Sequence, residues 1–221
     1  MADLKSRIDA VEARIARACE KAGRARASVK LVAVSKTRPS DVVRTAYGHG
    51  LRAFGENYAQ EFAEKHDALV GECPEIVWHF IGHLQRNKAK LVAPRASVVE
   101  TVDSVALGEA LSQKSQGRPL ELFVQVNVAR EPQKAGCAPE ETESLVRALR
   151  ELPGVTVVGL MTIPPAGDVT EDSRPHFRAL RELAHRLDLS GLSMGMSHDF
   201  EVAIEEGATV VRVGTAIFGT R

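Results

Sequence analysis

Residues able to do chemistry recur in this 221-residue sequence at the carboxyl ends of short apolar runs. Lys36 directly follows Leu31–Ser35, Glu56 and Asn57 follow Arg52–Gly55, and His83 follows Val77–Gly82. Met161-Thr162 ends the run from Val155, Ser193–Ser197 ends the next, and Arg212–Thr215 ends the last. A lysine at the end of an apolar strand sits beside low-dielectric walls, where burial disfavours the ammonium and frees the amine as a nucleophile. Such an amine can condense with an aldehyde. Gly195, Ser197, Gly214 and Thr215 are small enough for a ligand to approach the backbone closely. A helix beginning near Asp199 would turn its free N–H groups outward, and hydroxyls, amides and a helix start together make a phosphate cup. Each glycine alone is explained by a tight turn; together, at adjacent strand ends, they point to phosphate. Lysine plus phosphate cup suits pyridoxal 5′-phosphate. It also suits a lysine aldolase acting on a sugar phosphate, and an ordinary loop lysine accounts for Lys36 equally well.

These groups need a frame that brings strand ends to one place. The apolar runs are Leu31–Ser35, Arg52–Gly55, Val77–Gly82, Val98–Val102, Leu120–Asn127, Val155–Met161, Leu192–Gly195 and Thr209–Gly214. Leu31-Val32-Ala33-Val34 is apolar throughout rather than alternating, as in strands of a parallel sheet buried on both faces. Helical periods fill the gaps: Asp41–Tyr47, Tyr58–Leu69, Asn87–Val92, Val105–Lys114, Glu140–Leu152, Pro175–Leu187 and Phe200–Glu206. The alternation predicts an α/β fold, and eight strands close a (β/α)8 TIM barrel. An open doubly wound sheet is the rival. An extra helix precedes the barrel, with Leu4, Ile8, Val11, Ile15 and Cys19 on one face, Asp3 as its N-cap and Gly23 as its stop. The length leaves little room beyond one barrel, so residues 1–221 are read as one cofactor-binding domain. In parallel α/β proteins ligands bind at the carboxyl ends of strands, the face to which the chemistry already points.

Composition excludes other classes. Lys plus Arg and Asp plus Glu both number 29, so no net charge draws the chain to nucleic acid or to a membrane. Aromatics at 5% leave no stacking platform for single strands. Cys19, Cys73 and Cys137 are widely spaced, without a zinc or Cys-x-x-Cys pattern, which suits a reduced cytoplasmic setting. The amino terminus mixes charges of both signs and has no leader-like apolar segment, and no run is long enough to span a bilayer. His79 and His83 have the spacing of helical zinc ligands but lie on a strand entering a loop, so no metal site is assigned. Arg86, Lys88, Lys90 and Arg95 read as a solvated helix face, a phosphate-bearing partner being the weaker account. Lys134 reads as a loop lysine.

Several stretches together resemble the pyridoxal phosphate homeostasis (YggS/PROSC) family. They are Val32-Ala33-Val34-Ser35-Lys36-Thr37, Gly55-Glu56-Asn57-Tyr58, Trp78–Lys88, Gly159-Leu160-Met161-Thr162, Ser193–Asp199 and Val211–Gly219. The resemblance implies a barrel like the N-terminal domain of alanine racemase, with pyridoxal phosphate held on Lys36 as an internal aldimine. It implies phosphate contacts from Ser197 and from the backbone at Gly214 and Thr215, Asn57 near the ring's 3-hydroxyl, and Met161 beside the ring. Arg212 would face the pyridine nitrogen. Arginine stays protonated and only donates, so it would leave that nitrogen unprotonated and the ring a poorer electron sink. Lys134 resembles the family's Lys-x-Gly segment, a place from which it could contact the cofactor or a partner, or receive the aldehyde in transfer. Racemases of this fold add a second domain that supplies a catalytic tyrosine; here Tyr47 and Tyr58 are the only tyrosines. Tyr58 could approach the site or simply start a helix. The expectation is a cytoplasmic carrier or buffer of pyridoxal phosphate, a monomer that meets apo forms of pyridoxal phosphate enzymes. No catalytic residue is assigned. A racemase of low activity is the alternative.

Overall fold

A computed structural model describes residues 3–165 and 170–220. Met1 and Ala2, read above as part of the amino terminus, and the ends of the proposed 1–221 domain lie outside the described residues. Helix α1 (Leu4–Lys21) comes first, with the Asp3 side chain accepting the Ser6 N–H at 2.7 Å and Gly23 at φ +65° just past its end. Then strand and helix alternate: β1 (Lys30–Val34), α2 (Ser40–Gly48), β2 (Ala53–Glu56), α3 (Ala59–Leu69), β3 (Val77–Phe80), α4 (Ala89–Val92), β4 (Val98–Val102) and α5 (Val105–Lys114). The second half runs β5 (Leu120–Gln125), α6 (Thr142–Arg150), β6 (Val155–Met161), α7 (Arg174–Arg186), β7 (Gly191–Ser193), α8 (Phe200–Glu205), β8 (Val210–Val213) and α9 (Thr215–Phe218). The eight strands are parallel and close into a barrel in sequence order, with β8 pairing back onto β1 from Lys30↔Val210 to Ala33↔Val213. The open-sheet rival is thereby ruled out. Three features escaped the sequence reading: the single turn of α9 and short 3-10 turns at Arg26–Ser28 and Thr170–Ser173.

Apolar side chains form two bodies. The larger lies between the strands and the surrounding helices, and α1 joins it through Ile8, Val11, Ile15 and Cys19. The smaller fills the barrel lumen with Val32, Ala53, Val98, Phe123, Met161 and Val210. Strand alternation puts the residue two positions on into the same lumen, one layer nearer the carboxyl ends. From Val98 and Val210 that residue is Glu100 and Arg212, and from Val77 it is His79, so the upper lumen is polar.

Helix α3 is pinned by aromatic contact. Phe62 is fully buried, and its ring meets Trp78 edge-on at 5.8 Å and Phe80 at 5.9 Å. Phe62→Ala leaves a cavity there, with an expected loss of about 3–5 kcal/mol. Urea unfolding followed by the fluorescence of the lone tryptophan, Trp78, reads it; a loss below about 1 kcal/mol would mean that α3 is held elsewhere.

Candidate functional site

The first component is the turn that carries Lys36. Strand β1 ends at Val34, Ser35 is buried, and Lys36 and Thr37 form an exposed turn. This corrects the expectation of a lysine enclosed by apolar walls: the wall stops with the strand, and the turn lifts Lys36 to the surface of the barrel mouth. Its neighbours, by contrast, are tightly held. Ser35 Oγ donates to Glu56 Oε1 at 2.6 Å, and Lys65 Nζ donates to the Ser35 carbonyl at 2.7 Å. Lys65 also pairs with Glu56 Oε1 at 2.7 Å and Glu61 Oε1 at 2.6 Å, and Glu61 Oε1 accepts the Thr37 N–H at 2.5 Å. Burial pushes the Glu56 carboxyl above the usual range, against the pull of Lys65 and Ser35.

The second component is the polar layer of the lumen. Glu100 is fully buried; Oε1 lies 2.6 Å from His79 Nδ1, and Oε2 accepts from Ser193 Oγ at 2.5 Å. Arg212 Nη1 is 3.6 Å from Glu100 Oε2 and donates to Ser193 Oγ at 2.5 Å, while Nη2 donates to the Thr162 carbonyl at 2.9 Å. Burial alone would raise the Glu100 carboxyl, but His79, Arg212 and Ser193 outweigh it and hold the group below its ordinary value. Burial lowers the Arg212 guanidinium, opposed by Glu100 and Asp199. Two of its five N–H donors are engaged in these bonds.

The third component is the pair of loops after β7 and β8. Asp199 organises the first, accepting the Met196 N–H at 2.7 Å on Oδ1 and the Ser173 hydroxyl at 2.9 Å on Oδ2. Gly195 sits at φ +92°, and a Cβ there would lie 2.6 Å from that of Ala203, so only glycine lets this loop fold down onto α8. Gly214 caps α9, and Thr215 opens it. Among the described residues nothing accepts the backbone N–H of Ser197, His198, Thr215 or Ala216. These amides come from neighbouring strand ends and remain available to an anion.

Asn57 closes the arrangement on the β2 side. Gly82 packs so closely that a Cβ would lie 1.9 Å from the Asn57 carbonyl oxygen, and the Gly82 carbonyl accepts Thr101 Oγ1 at 2.6 Å. Asn57 Oδ1 and His79 Nε2 are both buried without a hydrogen-bond partner among the described residues. Unpaired buried polar atoms are costly, and a bound group bearing a hydroxyl would relieve the Asn57 oxygen. Free amides, an unpaired amide oxygen, an arginine with donors to spare and a lysine on the same mouth therefore fit a phosphorylated, hydroxylated aromatic aldehyde. Met161 is fully buried in the lumen, alongside this layer.

Other candidates separate from this group. Tyr58 stands just ahead of α3 and is 53% exposed, and Tyr47 bonds to Glu75 on the outer surface. His83 is exposed while His79 points into the lumen, so the two do not converge, and no metal-binding cluster occurs among the described residues. Arg86, Lys88 and Lys90 are exposed, and Arg95 pairs with Asp67. Lys134 bonds to the Pro164 carbonyl at 2.8 Å, bridging the loops after β5 and β6. No helix among the described residues is long and apolar enough to cross a membrane. Sequence reasoning missed the roles of Glu100 and Lys65. The available signals were a carboxylate inside the apolar run Val98–Val102 and a lysine on the buried face of α3 between Phe62 and Leu69.

Comparison with known proteins gives concordant matches. Residues 7–221 match the family described as alanine racemase, N-terminal domain. A pyridoxal phosphate homeostasis protein of Aquifex aeolicus is 45% identical, the match covering 97% of each chain. A human protein of the same name is 46% identical over 87% of this chain and 76% of its own. PipY of Synechococcus elongatus, solved with PLP bound, superposes with a TM-score of 0.85 at 34% identity, over 98% of this chain and all of that one. An alanine racemase of Corynebacterium glutamicum shares the fold, with a TM-score of 0.66 at 20% identity over 96% of this chain and 61% of its own.

The buried Glu100 yields a pH prediction. A carboxyl whose folded pKa is depressed adds stability above its unfolded pKa and loses it as pH falls through the folded one. Glu100→Gln removes the counter-charge of a buried arginine, with an expected cost of about 3–5 kcal/mol at neutral pH. Urea titrations should show the gap between the two proteins narrowing as the pH drops below the ordinary carboxylate range. A gap constant with pH would show that Glu100 does not act as a charge.

Proposed function

The chain belongs to the pyridoxal phosphate homeostasis family, built on the alanine racemase N-terminal domain, and from that premise we propose that it binds pyridoxal 5′-phosphate at the barrel mouth and carries or buffers it. The observation that carries the reading is the meeting, on one face, of the Lys36 turn with the unengaged amides after β7 and β8. That the PLP-bound PipY structure is alike over nearly the whole chain supports the same ligand. When bound, the cofactor supplies an aldehyde for a lysine amine and a ring that draws electrons from an attached carbon.

The residues then divide the work. Lys36 offers the amine for covalent attachment. Ser197, Gly214 and Thr215 take the phosphate, the first by its hydroxyl and all by backbone approach. Asn57 orients the ring through its hydroxyl, Met161 bounds the ring's surroundings, and Arg212 donates to the pyridine nitrogen. An arginine in that place cannot give up a proton under ordinary conditions, which keeps the ring a weak electron sink and favours holding over turnover. The racemase alternative has less support, because its likeness is one of fold and reaches only 61% of that enzyme.

The whole chain, 1–221, is taken as one binding domain that works in the cytoplasm as a monomer. Three free, buried cysteines suit a reducing compartment. Tyr58, Val105, Ile163 and Met196 are exposed apolar side chains, and each lies just beyond the carboxyl end of a strand. An apolar rim around the mouth supports contact with a second protein, an apo-enzyme that receives the cofactor.

Purified protein given pyridoxal phosphate should develop a visible absorption band that borohydride fixes as an adduct on Lys36, found by peptide mass spectrometry. Lys36→Ala should show neither, and Ser197→Ala should weaken binding roughly tenfold. A protein with no band and no adduct would overturn the reading. Transfer to an apo-enzyme no faster than free release would overturn the partner.

A further inference from the structure

Lys65 and Glu61 occupy positions that binding of a ligand does not explain. Lys65 lies between the barrel wall and α3 with its side chain 6% exposed, and its ammonium meets three acceptors: Glu56 Oε1, Glu61 Oε1 and the Ser35 carbonyl. A buried ion pair of this kind is weak evidence for stability, since apolar side chains of like volume often serve as well. What it secures here is local. Ser35 is fixed on one side of Lys36 through both its hydroxyl and its carbonyl, and Thr37 is fixed on the other through its N–H to Glu61. Thr37 has φ +62°, a left-handed conformation that a β-branched residue adopts only when its surroundings impose it. Two bonds restrain that turn: the Thr37 N–H to Glu61, and the turn's own closure from the Arg38 N–H to the Ser35 carbonyl at 3.0 Å.

We propose that Glu61, braced by Lys65, is a positioning residue for Lys36: it holds the exposed turn in the strained conformation that presents the amine to the barrel mouth. The inference rests on the binding reading above. Attachment forms one carbon–nitrogen double bond between Lys36 Nζ and the aldehyde carbon and releases the aldehyde oxygen as water, with no oxidant or reductant. Geometry of the amine therefore governs how fast the bond forms, whereas the phosphate loops govern whether the ligand docks.

Two ligands separate these roles. Pyridoxine 5′-phosphate keeps the ring and phosphate but carries an alcohol in place of the aldehyde, so it docks without joining the lysine. Glu61 is partly exposed, and Glu61→Ala can be compared with wild type at matched thermal midpoints. In Glu61→Ala, appearance of the visible band should slow about tenfold, with pyridoxine 5′-phosphate affinity unchanged. Glu61→Gln, which keeps the acceptor for Thr37, should restore the rate. Equal loss for both ligands, no loss, or no rescue by glutamine would overturn the proposal. Failure of wild type itself to form an adduct would overturn the binding reading, and the proposal with it.

Discussion

A carboxylate inside a closed barrel has nowhere to find water, and Glu100 is the group to which the upper half of this structure answers. The lumen below it is apolar and packed. At its own level every neighbour must donate, and His79, Ser193 and Arg212 all do or stand ready to. They arrive from three different strands, so the charge fixes the relation of β3, β7 and β8 to β4 as firmly as packing does. Arg212 is thereby locked in direction before any ligand arrives, and preorganised donors cost nothing to reorient on binding.

A second buried charge pair, Glu56 with Lys65, works on the opposite side of the barrel wall. The two systems divide the mouth between them. One sets the polar floor of the mouth, and the other sets the turn that carries Lys36. The loops after β7 and β8 have their amides left open by tight backbone packing at Gly195 and by the start of α9, and the Arg212 N–H ties the first loop to β8 by donating to the Gly195 carbonyl at 3.0 Å. Rigid supports of separate origin thus converge on one small volume.

Much of this was legible in the sequence. Short apolar runs located all eight strands, although the run Leu192–Gly195 overlaps the paired strand Gly191–Ser193 only at Leu192 and Ser193. The shared face followed from strand direction alone. Lys36 is exposed where its place at a strand end suggests burial, because the chain leaves the wall at Ser35. The partners of Glu100 could not be read, because Ser193 lies 93 positions away and the contact exists only once the barrel closes. Helix α9 was hidden by its length, four residues bounded by glycines that look like turn. Local pattern gives elements; pairing of charges across a lumen depends on closure, which no window of sequence contains.

Closure also sets an order of events. Strand β1 has a partner in β2 as soon as both exist, but its other edge waits for β8, some 180 residues later in synthesis, as Lys30↔Val210 records. Arg7, Arg24 and Arg38 reach the carbonyls of Ile217, Ile204 and Gly219, sewing the first segments to the last. Contacts this distant are slow to form, because a long loop must be closed before they return anything. A nascent chain therefore emerges with its lysine turn on a half-paired strand, and the barrel mouth is complete only after β8 has left the ribosome.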